Sequence, residues 1–354
     1  MTRASRAAAV LAAAALAVWP AVAAGAPLPQ VRVLATGGTI AGAGSAASNS
    51  YKSGQVTVAN LIAALPGVDA IAALSGEQVA NIPSGDMDET IWRNLHARVQ
   101  AAFADPAIAG VVITHGTDTL EETAFFLQLI LPQVKPVVVV GSMRPSTAVS
   151  ADGPHNMLDA IRVVTAPGAA GRGVMVVMND SIFDPVSVTK VDMHRLDAFA
   201  APSRGPIGDV VRITPTFFAP APPPRARLSL LPAPLPRIAI VYAYAGLTGD
   251  DVRRFAKDAA GVVIAGVGAG GFSKSAREAV RDLTKRGVLV VRTPRQGHGD
   301  IWPSDAAAGD DSDSAVGTIA GRELTPAKAR ILLMLALQQP RTRAELQAIF
   351  DGMF

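Results

Sequence analysis

Short runs of Val and Ile alternate along this 354-residue chain with longer stretches that have a helical pattern. In the first half the predicted strands are residues 31–36, 78–82, 110–114, 136–141 and 174–178. Amphipathic stretches at 88–103 and 154–166 predict helices between them. Strands that are apolar throughout and are separated by helices are typical of a parallel sheet buried on both faces. The alternation therefore predicts an α/β fold with a mostly parallel sheet.

A proline-dense segment at residues 214–236 interrupts this pattern and predicts an extended linker. The alternation then resumes, with predicted strands at 237–243, 261–266 and 287–291. Two helices follow, the first with Thr325 as N-cap and Pro326 at its first position. We therefore expect a large N-terminal α/β domain at 27–213 and a smaller C-terminal α/β domain at 237–354.

The first 26 residues combine Arg3 and Arg6 with an Ala/Leu/Val run that Pro20 interrupts. Small residues follow and offer a cleavage site after Ala24 or Ala26. This pattern predicts a secretory signal peptide at 1–26, the alternative being an uncleaved membrane anchor. We expect a periplasmic or secreted protein that has no membrane segment after cleavage.

Composition excludes several classes of function. The formal net charge is +3, and no basic block with interleaved aromatic residues occurs, so nucleic-acid binding is not expected. The chain has no cysteine, which excludes disulfides, thiolate nucleophiles and cysteine-ligated metals. Its five histidines are scattered without ligand spacing, so we predict no metal site.

Two predicted strands end in a glycine followed by threonine, at "TGGTIAG" (36–42) and "THGTDTLEETA" (114–124). In doubly wound sheets, ligands bind beyond the carboxyl ends of the strands. Thr39 in the first stretch fits a turn residue, a phosphate-loop residue or a nucleophile. The phosphate-loop pattern needs a following Gly-Lys-Ser/Thr, which is absent. A nucleophilic hydroxyl needs a positioned partner, and Tyr51, in a Gly/Ser-rich flap at 41–55, could close over Thr39.

In the second stretch, Thr119 and Glu122 predict a capping box for the next helix, and Glu121 favours the same helix end. Thr117 and Asp118 precede the cap. They fit either a structural turn or a catalytic pair.

A G-x-G-x-x-G pattern occurs at Gly266, Gly268 and Gly271. The strand that follows ends without an acidic residue for a ribose. Tight-turn glycines are a simpler explanation than a dinucleotide site.

Together these stretches, with "KPVVVVGSMRPSTAVSADGPHN" (135–156) and "GVMVVMNDSIFDPVSVTK" (173–190), resemble the exported bacterial-type L-asparaginases and the glutaminase-asparaginases. The resemblance covers nearly the whole mature chain. It implies the asparaginase fold, no cofactor, and a homotetramer whose dimers complete each other's active sites. It also implies hydrolysis of L-asparagine to L-aspartate and ammonia through a threonyl acyl-enzyme.

The resemblance assigns roles to particular residues. Thr39 corresponds to the nucleophile and Tyr51 to the flap tyrosine, while Thr117, Asp118 and Lys190 correspond to the second catalytic set. Substrate binding is expected from Ser84, Gly85, Thr117, Asp118 and Ser142, with Ser84 holding the α-carboxylate.

The chain departs from the family at three places. Gly85 stands where the family usually has Gln, and Gly246 where it often has Asn. Residues 295–311 contain no Glu to match the one that the family supplies from a neighbouring subunit, although Asp310 or Asp311 could substitute. The missing Gln and Glu normally bind the substrate α-ammonium.

Three alternatives therefore stay open. The first is a glutaminase-asparaginase or an amidase with relaxed recognition of the α-amino group. The second is a non-catalytic exported amino-acid-binding protein, which would need Ser84 and Asp118 but not Thr39, Tyr51 and Lys190. A nicotinamide-dependent oxidoreductase is the third.

Overall fold

The computed structural model describes residues 27–44, 51–223, 225, 227–304 and 306–354. The predicted signal peptide and the tip of the predicted flap, residues 45–50, lie outside them. The strands are Gln30–Gly37 (β1), Ala43–Gly44 (β2), Tyr51–Lys52 (β3), Ala73–Ile82 (β4), Ile108–Thr114 (β5), Val137–Val140 (β6), Val174–Met178 (β7), Ser181–Phe183 (β8), Thr189–Lys190 (β9), Phe199–Ala200 (β10), Gly208–Val211 (β11), Thr214–Phe217 (β12), Ile238–Tyr242 (β13), Gly261–Gly266 (β14), Leu289–Pro294 (β15) and Thr318–Ala320 (β16). The α-helices are Val58–Ala63 (α1), Glu89–Ala104 (α2), Leu120–Ile130 (α3), Gly153–Thr165 (α4), Gly249–Phe255 (α5), Lys274–Lys285 (α6), Asp313–Val316 (α7), Pro326–Ala336 (α8) and Arg343–Asp351 (α9). Within these ranges, no helix has the length and apolar character needed to span a bilayer.

The larger sheet has eight strands in the order β12-β11-β8-β7-β6-β5-β1-β4. Strands β4, β1, β5, β6 and β7, which form one side of this sheet, are parallel, as predicted. Side chains of β6 are buried along the whole strand, because helices cover both faces of this part of the sheet. The fold class predicted from the alternating pattern is confirmed.

The far edge of this sheet differs from the prediction. Strands β8, β11 and β12 are short, antiparallel additions that the sequence pattern did not reveal. Strand β12 (Thr214–Phe217) occupies the start of the segment predicted as linker. Pro215 is tolerated there because β12 is an edge strand, and an edge strand leaves some N–H groups without a ladder partner. Among the described residues of 218–236, the chain forms neither helix nor strand.

Side chains from both units form hydrogen bonds to the backbone of this segment. Arg93 on α2 donates to the carbonyl oxygens of Leu231 and Ala233, at 2.8 and 2.7 Å. Gln338, just after α8, donates to the Ala233 carbonyl oxygen at 2.9 Å. These hydrogen bonds therefore fix the position of the segment that joins the two sheets.

The smaller sheet is parallel throughout, in the order β13-β14-β15-β16. Strand β16 was not predicted, but Thr325 is the N-cap of α8 and Pro326 lies in its first turn, as expected. Helix α8 packs against α3 and against strands β13, β14 and β15 of the smaller sheet. Its Leu332 shares one hydrophobic core with Phe125 and Phe126 of α3, so a single core spans both units.

The G-x-G-x-x-G stretch forms a turn at the end of β14. A Cβ atom at Gly266 would lie 2.3 Å from the Gly270 carbonyl carbon, and Val267 and Gly271 exchange backbone hydrogen bonds. This close contact explains Gly266, and the φ of +53° explains Gly268, so a tight turn accounts for both glycines.

Candidate active site

Two turns meet at the carboxyl ends of neighbouring strands β1 and β5. Ala35 lies opposite Thr114, so the residues that follow each of them leave the sheet side by side. A Cβ atom at Gly38 would lie 2.3 Å from the backbone N and Cα atoms of Gly116. Only glycine permits this backbone contact, which brings the Thr39 turn and the Thr117 turn together.

The hydroxyls of Thr39 and Tyr51 form a hydrogen bond of 2.6 Å. Thr39 begins a short 3₁₀ turn directly after Gly38 and is buried. Tyr51 lies on β3, which pairs with β2 in a small antiparallel hairpin, and its side chain is partly exposed. In the described part of the predicted flap, the Tyr51 hydroxyl therefore lies within hydrogen-bond distance of the Thr39 hydroxyl.

Lys190 on β9 connects the second pair of candidate residues. Its Nζ atom donates to Thr117 Oγ1 at 2.8 Å and to Asp118 Oδ1 at 2.7 Å. The lysine side chain is largely buried, whereas the Asp118 side chain is 74% exposed. The Lys190 Nζ atom thus has one partner inside the turn and one at the solvent, where a substrate can reach the Asp118 carboxylate.

Ser84 follows β4 and contacts the same turn. Its Oγ atom accepts a hydrogen bond from the backbone N–H of Asp118 at 3.2 Å. Gly85 next to it is exposed, and no atom lies within 4 Å of the position that a Cβ atom would take. The space for the side chain that the family usually carries here is therefore open.

The predicted capping box of α3 is wrong. Thr119 is the N-cap residue by position, but its side chain makes no capping hydrogen bond. Its hydroxyl donates instead to the Ser84 carbonyl oxygen at 2.7 Å. Thr119 therefore ties the Ser84 turn to the Thr117 turn, a tertiary contact that outweighs the local pattern.

Ser142 lies at the exit of β6, where it is fully buried. Its hydroxyl donates to the Arg144 carbonyl oxygen at 2.8 Å. The same loop is fixed by Asp152, whose carboxylate accepts from the N–H groups of Met143 and Arg144, both at 2.9 Å. The structure shows Ser142 holding its own loop and does not join its hydroxyl to the cluster around Thr39 and Thr117.

His115 is fully buried behind the Thr117 turn. Its Nδ1 atom lies 2.7 Å from the Gly116 carbonyl oxygen, so Nδ1 must carry the proton. Its Nε2 atom then accepts from Thr123 Oγ1 at 2.8 Å, and Thr123 accepts from Trp92 Nε1 at 2.9 Å. Burial lowers the pKa of His115 to about 4, which keeps the ring neutral.

Two further charged residues, which sequence reasoning did not assign to the site, position Lys190. Glu121 Oε2 accepts the backbone N–H of Lys190 at 2.7 Å. Lys328 on α8 is fully buried and donates to the carbonyl oxygens of Val186, at 3.2 Å, and Val188. The sequence does contain a sign that Lys328 is buried, because it lies one turn before Leu332 on the apolar face of its helix. A lysine on a buried face needs partners.

The candidate substitutes for the missing glutamate lie in the C-terminal unit. The Asp311 carboxylate pairs with Arg277 at 2.8 Å, and Asp310 is exposed. Gly246, which stands where the family often has Asn, has φ +93° and open space where a Cβ atom would be. Within this chain, Asp311 is therefore already paired and Asp310 faces solvent.

Comparison with known proteins agrees with this geometry. Residues 30–222 match the family described as "Asparaginase, N-terminal", and residues 237–350 match "Glutaminase/Asparaginase C-terminal domain". The chain is 40% identical over 335 residues to L-asparaginase 2 of Escherichia coli, covering 92% of this chain and 93% of the relative. It is 39% identical over 331 residues to glutaminase-asparaginase of Pseudomonas fluorescens biotype A, covering 91% and 90%.

A solved structure agrees as well. The crystal structure of probable cytoplasmic L-asparaginase from Campylobacter jejuni matches with a TM-score of 0.83 and 37% identity, over 92% of this chain and 99% of that one. The matches cover both units, and the fold and the Thr39–Tyr51 hydroxyl pair agree with them. The chain therefore belongs to the asparaginase family of amidohydrolases.

Proposed function

We propose that this enzyme hydrolyses L-asparagine to L-aspartate and ammonia through an ester on Thr39. The observation that carries the proposal is that two buried threonine hydroxyls each form a hydrogen bond with a titratable side chain. One contacts Tyr51 at 2.6 Å and the other contacts Lys190 at 2.8 Å. A hydroxyl needs a positioned partner for its proton to act as a nucleophile or a relay, and each threonine hydroxyl has one titratable side chain within hydrogen-bond distance.

In the first step, Thr39 Oγ1 attacks the side-chain amide carbon and gives its proton to the Tyr51 oxygen, while the phenol proton of Tyr51 passes on to the amide nitrogen. The tetrahedral oxyanion collapses, the C–N bond breaks, and the protonated nitrogen leaves as ammonia. The backbone N–H of Thr117 is our candidate donor to the oxyanion. One such donor contributes about 3–4 kcal/mol to barrier lowering.

In the second step, water attacks the ester carbon. With Lys190 as the neutral amine, Thr117 relays the water proton to Lys190 Nζ, and that proton then passes to Thr39 Oγ1 as the C–O bond of the ester breaks. Aspartate is released and the enzyme is restored. Neither step needs a cofactor.

Substrate orientation follows from the charges around the cluster. We propose that Ser84 binds the α-carboxylate and that the exposed Asp118 carboxylate binds the α-ammonium. Because Gly85 provides no side chain, Asp118 carries most of the α-ammonium recognition. Loss of a partner for a buried charge typically costs about 2–5 kcal/mol.

The second candidate function follows from this weakened recognition. The chain is an asparaginase of reduced affinity, or it also accepts glutamine or an amide without a charged α-nitrogen. The matched relatives carry both names, L-asparaginase and glutaminase-asparaginase. One methylene separates the two substrates, a difference worth only about 1–3 kcal/mol in a pocket.

Ammonia release tests the proposal. The purified protein is assayed with asparagine, glutamine and succinamate, which is asparagine without its α-amino group. We expect asparagine to be hydrolysed and the Thr39→Ala variant to lose activity while retaining asparagine binding. Rapid quenching and mass spectrometry should place the acyl adduct on Thr39. Full activity in Thr39→Ala would refute the threonyl ester, and ligand binding without ammonia release would favour a binding protein.

We further propose export and assembly as a homotetramer. The leader composition supports export, and a relative that is 37% identical, from Haemophilus influenzae, is named a probable periplasmic L-asparaginase. N-terminal sequencing of the secreted protein and light scattering of the purified protein test these two points.

A further inference from the structure

A cluster of one histidine and two aspartates lies outside the candidate active site. His155 and Asp159 lie on α4, and Asp180 lies in the turn between β7 and β8. His155 Nε2 is 2.7 Å from Asp180 Oδ1 and 3.4 Å from Asp159 Oδ2. The three ligand atoms all lie within 4.8 Å of one another.

Asp159 is the residue that makes this cluster unusual. Its side chain is 1% exposed, and its Oδ1 atom accepts from Arg162 at 3.0 Å. Its Oδ2 atom is buried and has no hydrogen-bond partner among the described residues. Burying a carboxylate oxygen without a partner is costly, so the arrangement favours a cation beside Oδ2. The imidazole of His155 lies on that side.

We propose that His155, Asp159 and Asp180 bind a divalent transition-metal ion of the zinc class. Zinc holds nitrogen and carboxylate ligands at about 2.0–2.2 Å in tetrahedral geometry, which separates ligand atoms by about 3.4 Å. The His155–Asp159 pair already has this separation. The side chains of His155 and Asp180 are 58% and 54% exposed, so they are free to open by the fraction of an ångström required. Water takes the fourth position.

The types of ligand atom also determine which metal ions should bind. An imidazole nitrogen favours Zn²⁺, Co²⁺ and Ni²⁺ over Mg²⁺ and Ca²⁺, which prefer oxygen ligands alone. Two carboxylates supply two negative charges, of which Arg162 balances one. A divalent ion therefore meets a site of net charge −1 with an open path to solvent.

Metal at this position would stabilise the fold without entering the reaction. It would link α4 to the β7–β8 turn, which Asn156 already joins through its Oδ1 atom to the Asn179 N–H at 3.1 Å. The Asn156 amide also donates to the Gly141 carbonyl oxygen at 3.0 Å, at the exit of β6. A ligand that binds only the native state raises stability in proportion to the logarithm of its concentration over Kd.

Isothermal titration of untagged, EDTA-treated and dialysed protein with ZnCl₂ tests the proposal. We expect one Zn²⁺ per chain, a higher melting temperature with Zn²⁺, and no binding of Mg²⁺ or Ca²⁺. Substitution of Co²⁺ should give the intense visible absorption of a tetrahedral site. These readouts do not depend on amidase activity, so they stand or fall separately from the threonyl mechanism.

Single-site variants make the result specific. His155→Ala and Asp180→Asn remove exposed ligands and should lose at least tenfold in zinc affinity, whereas His298→Ala, an exposed histidine outside the cluster, should bind as the parent does. Absence of stoichiometric binding, or binding that survives His155→Ala, would overturn the proposal. A melting temperature that falls in His155→Ala with no metal effect would assign the cluster to a protonated histidine bridging two carboxylates, which also refutes the metal site.

Discussion

The ring of Tyr51 lies directly against Gly42, so that a Cβ atom at position 42 would be 2.7 Å from Tyr51 Cδ2. The same atom would lie 2.9 Å from the Thr39 carbonyl oxygen. A backbone atom and an aromatic ring thus crowd this glycine from two sides. The absence of a side chain at Gly42 therefore gives the Tyr51 ring room to reach the Thr39 hydroxyl.

We therefore expect Gly42→Ala to displace the Tyr51 ring and to lower kcat for asparagine by about 10²-fold, the range of a lost proton-transfer partner. Tyr51→Phe should give a loss of the same size, and the double variant should lose little more. Steady-state ammonia release measures all three. Gly271→Ala is the control, since its Cβ atom meets only an ordinary contact at 3.5 Å. A Gly42→Ala enzyme with unchanged kcat would contradict this role.

The parallel core of the large sheet could be predicted because its strands are apolar along their whole length and are separated by amphipathic helices. The β8 strand could not, since three residues carry too little pattern to distinguish a strand from a loop. Thr39 and Thr117 could be selected as candidates because each follows a glycine at a strand end, where ligands bind in such sheets.

Local sequence cannot show the tertiary contacts that organise the site. Glu121 looks like a helix-start carboxylate, yet it accepts a hydrogen bond from Lys190, 69 residues away in the chain. Thr119 and Ser142 each carry a hydroxyl with a plausible local or substrate role, but both donate to backbone carbonyls. Such pairings depend on how the turns come together in space, which no periodicity encodes.

Restoring a side chain at Gly85 should strengthen recognition of the α-ammonium. The Cβ position there is open, so Gly85→Gln adds an amide oxygen without a clash. We expect KM for asparagine to fall by about tenfold, equivalent to a hydrogen bond to a charged group of about 1.4 kcal/mol, with little change in kcat. Succinamate is the matched control, because it lacks the group that the new side chain would contact. An equal gain for both substrates would show that the added amide does not act on the α-ammonium.

Lys328 should matter for catalysis although it lies on the helix of the other unit. Its ammonium binds the carbonyl oxygens of Val186 and Val188, and Val188 is two residues before Lys190. Lys328→Met keeps the volume but removes both hydrogen bonds, so we expect kcat to fall by about tenfold or more as Lys190 loses its alignment with Thr117. Thermal unfolding checks that the variant is folded. Arg330→Met, a half-buried cation on the same helix, is the control and should retain kcat.

The buried His115 predicts how stability depends on pH. Its pKa is about 4 in the folded state against an ordinary value of 6.5, so the unfolded chain binds more protons between these values. The free energy of unfolding should therefore rise with pH from about 4 to 6.5, and this histidine accounts for about 3 kcal/mol of the rise, at about 1.4 kcal/mol per pKa unit.

Other groups also titrate in this window, so the measurement is the difference between the parent and His115→Gln, a neutral residue that keeps a donor and an acceptor. Urea unfolding at pH 4.5, 5.5 and 6.5 gives both curves. We expect the parent to gain more stability than the variant over this range, because only the parent must keep a neutral imidazole behind the Thr117 turn. Parallel curves would mean that His115 is protonated equally in the folded and unfolded chains, and that the hydrogen bond from Thr123 to its Nε2 atom does not persist in solution.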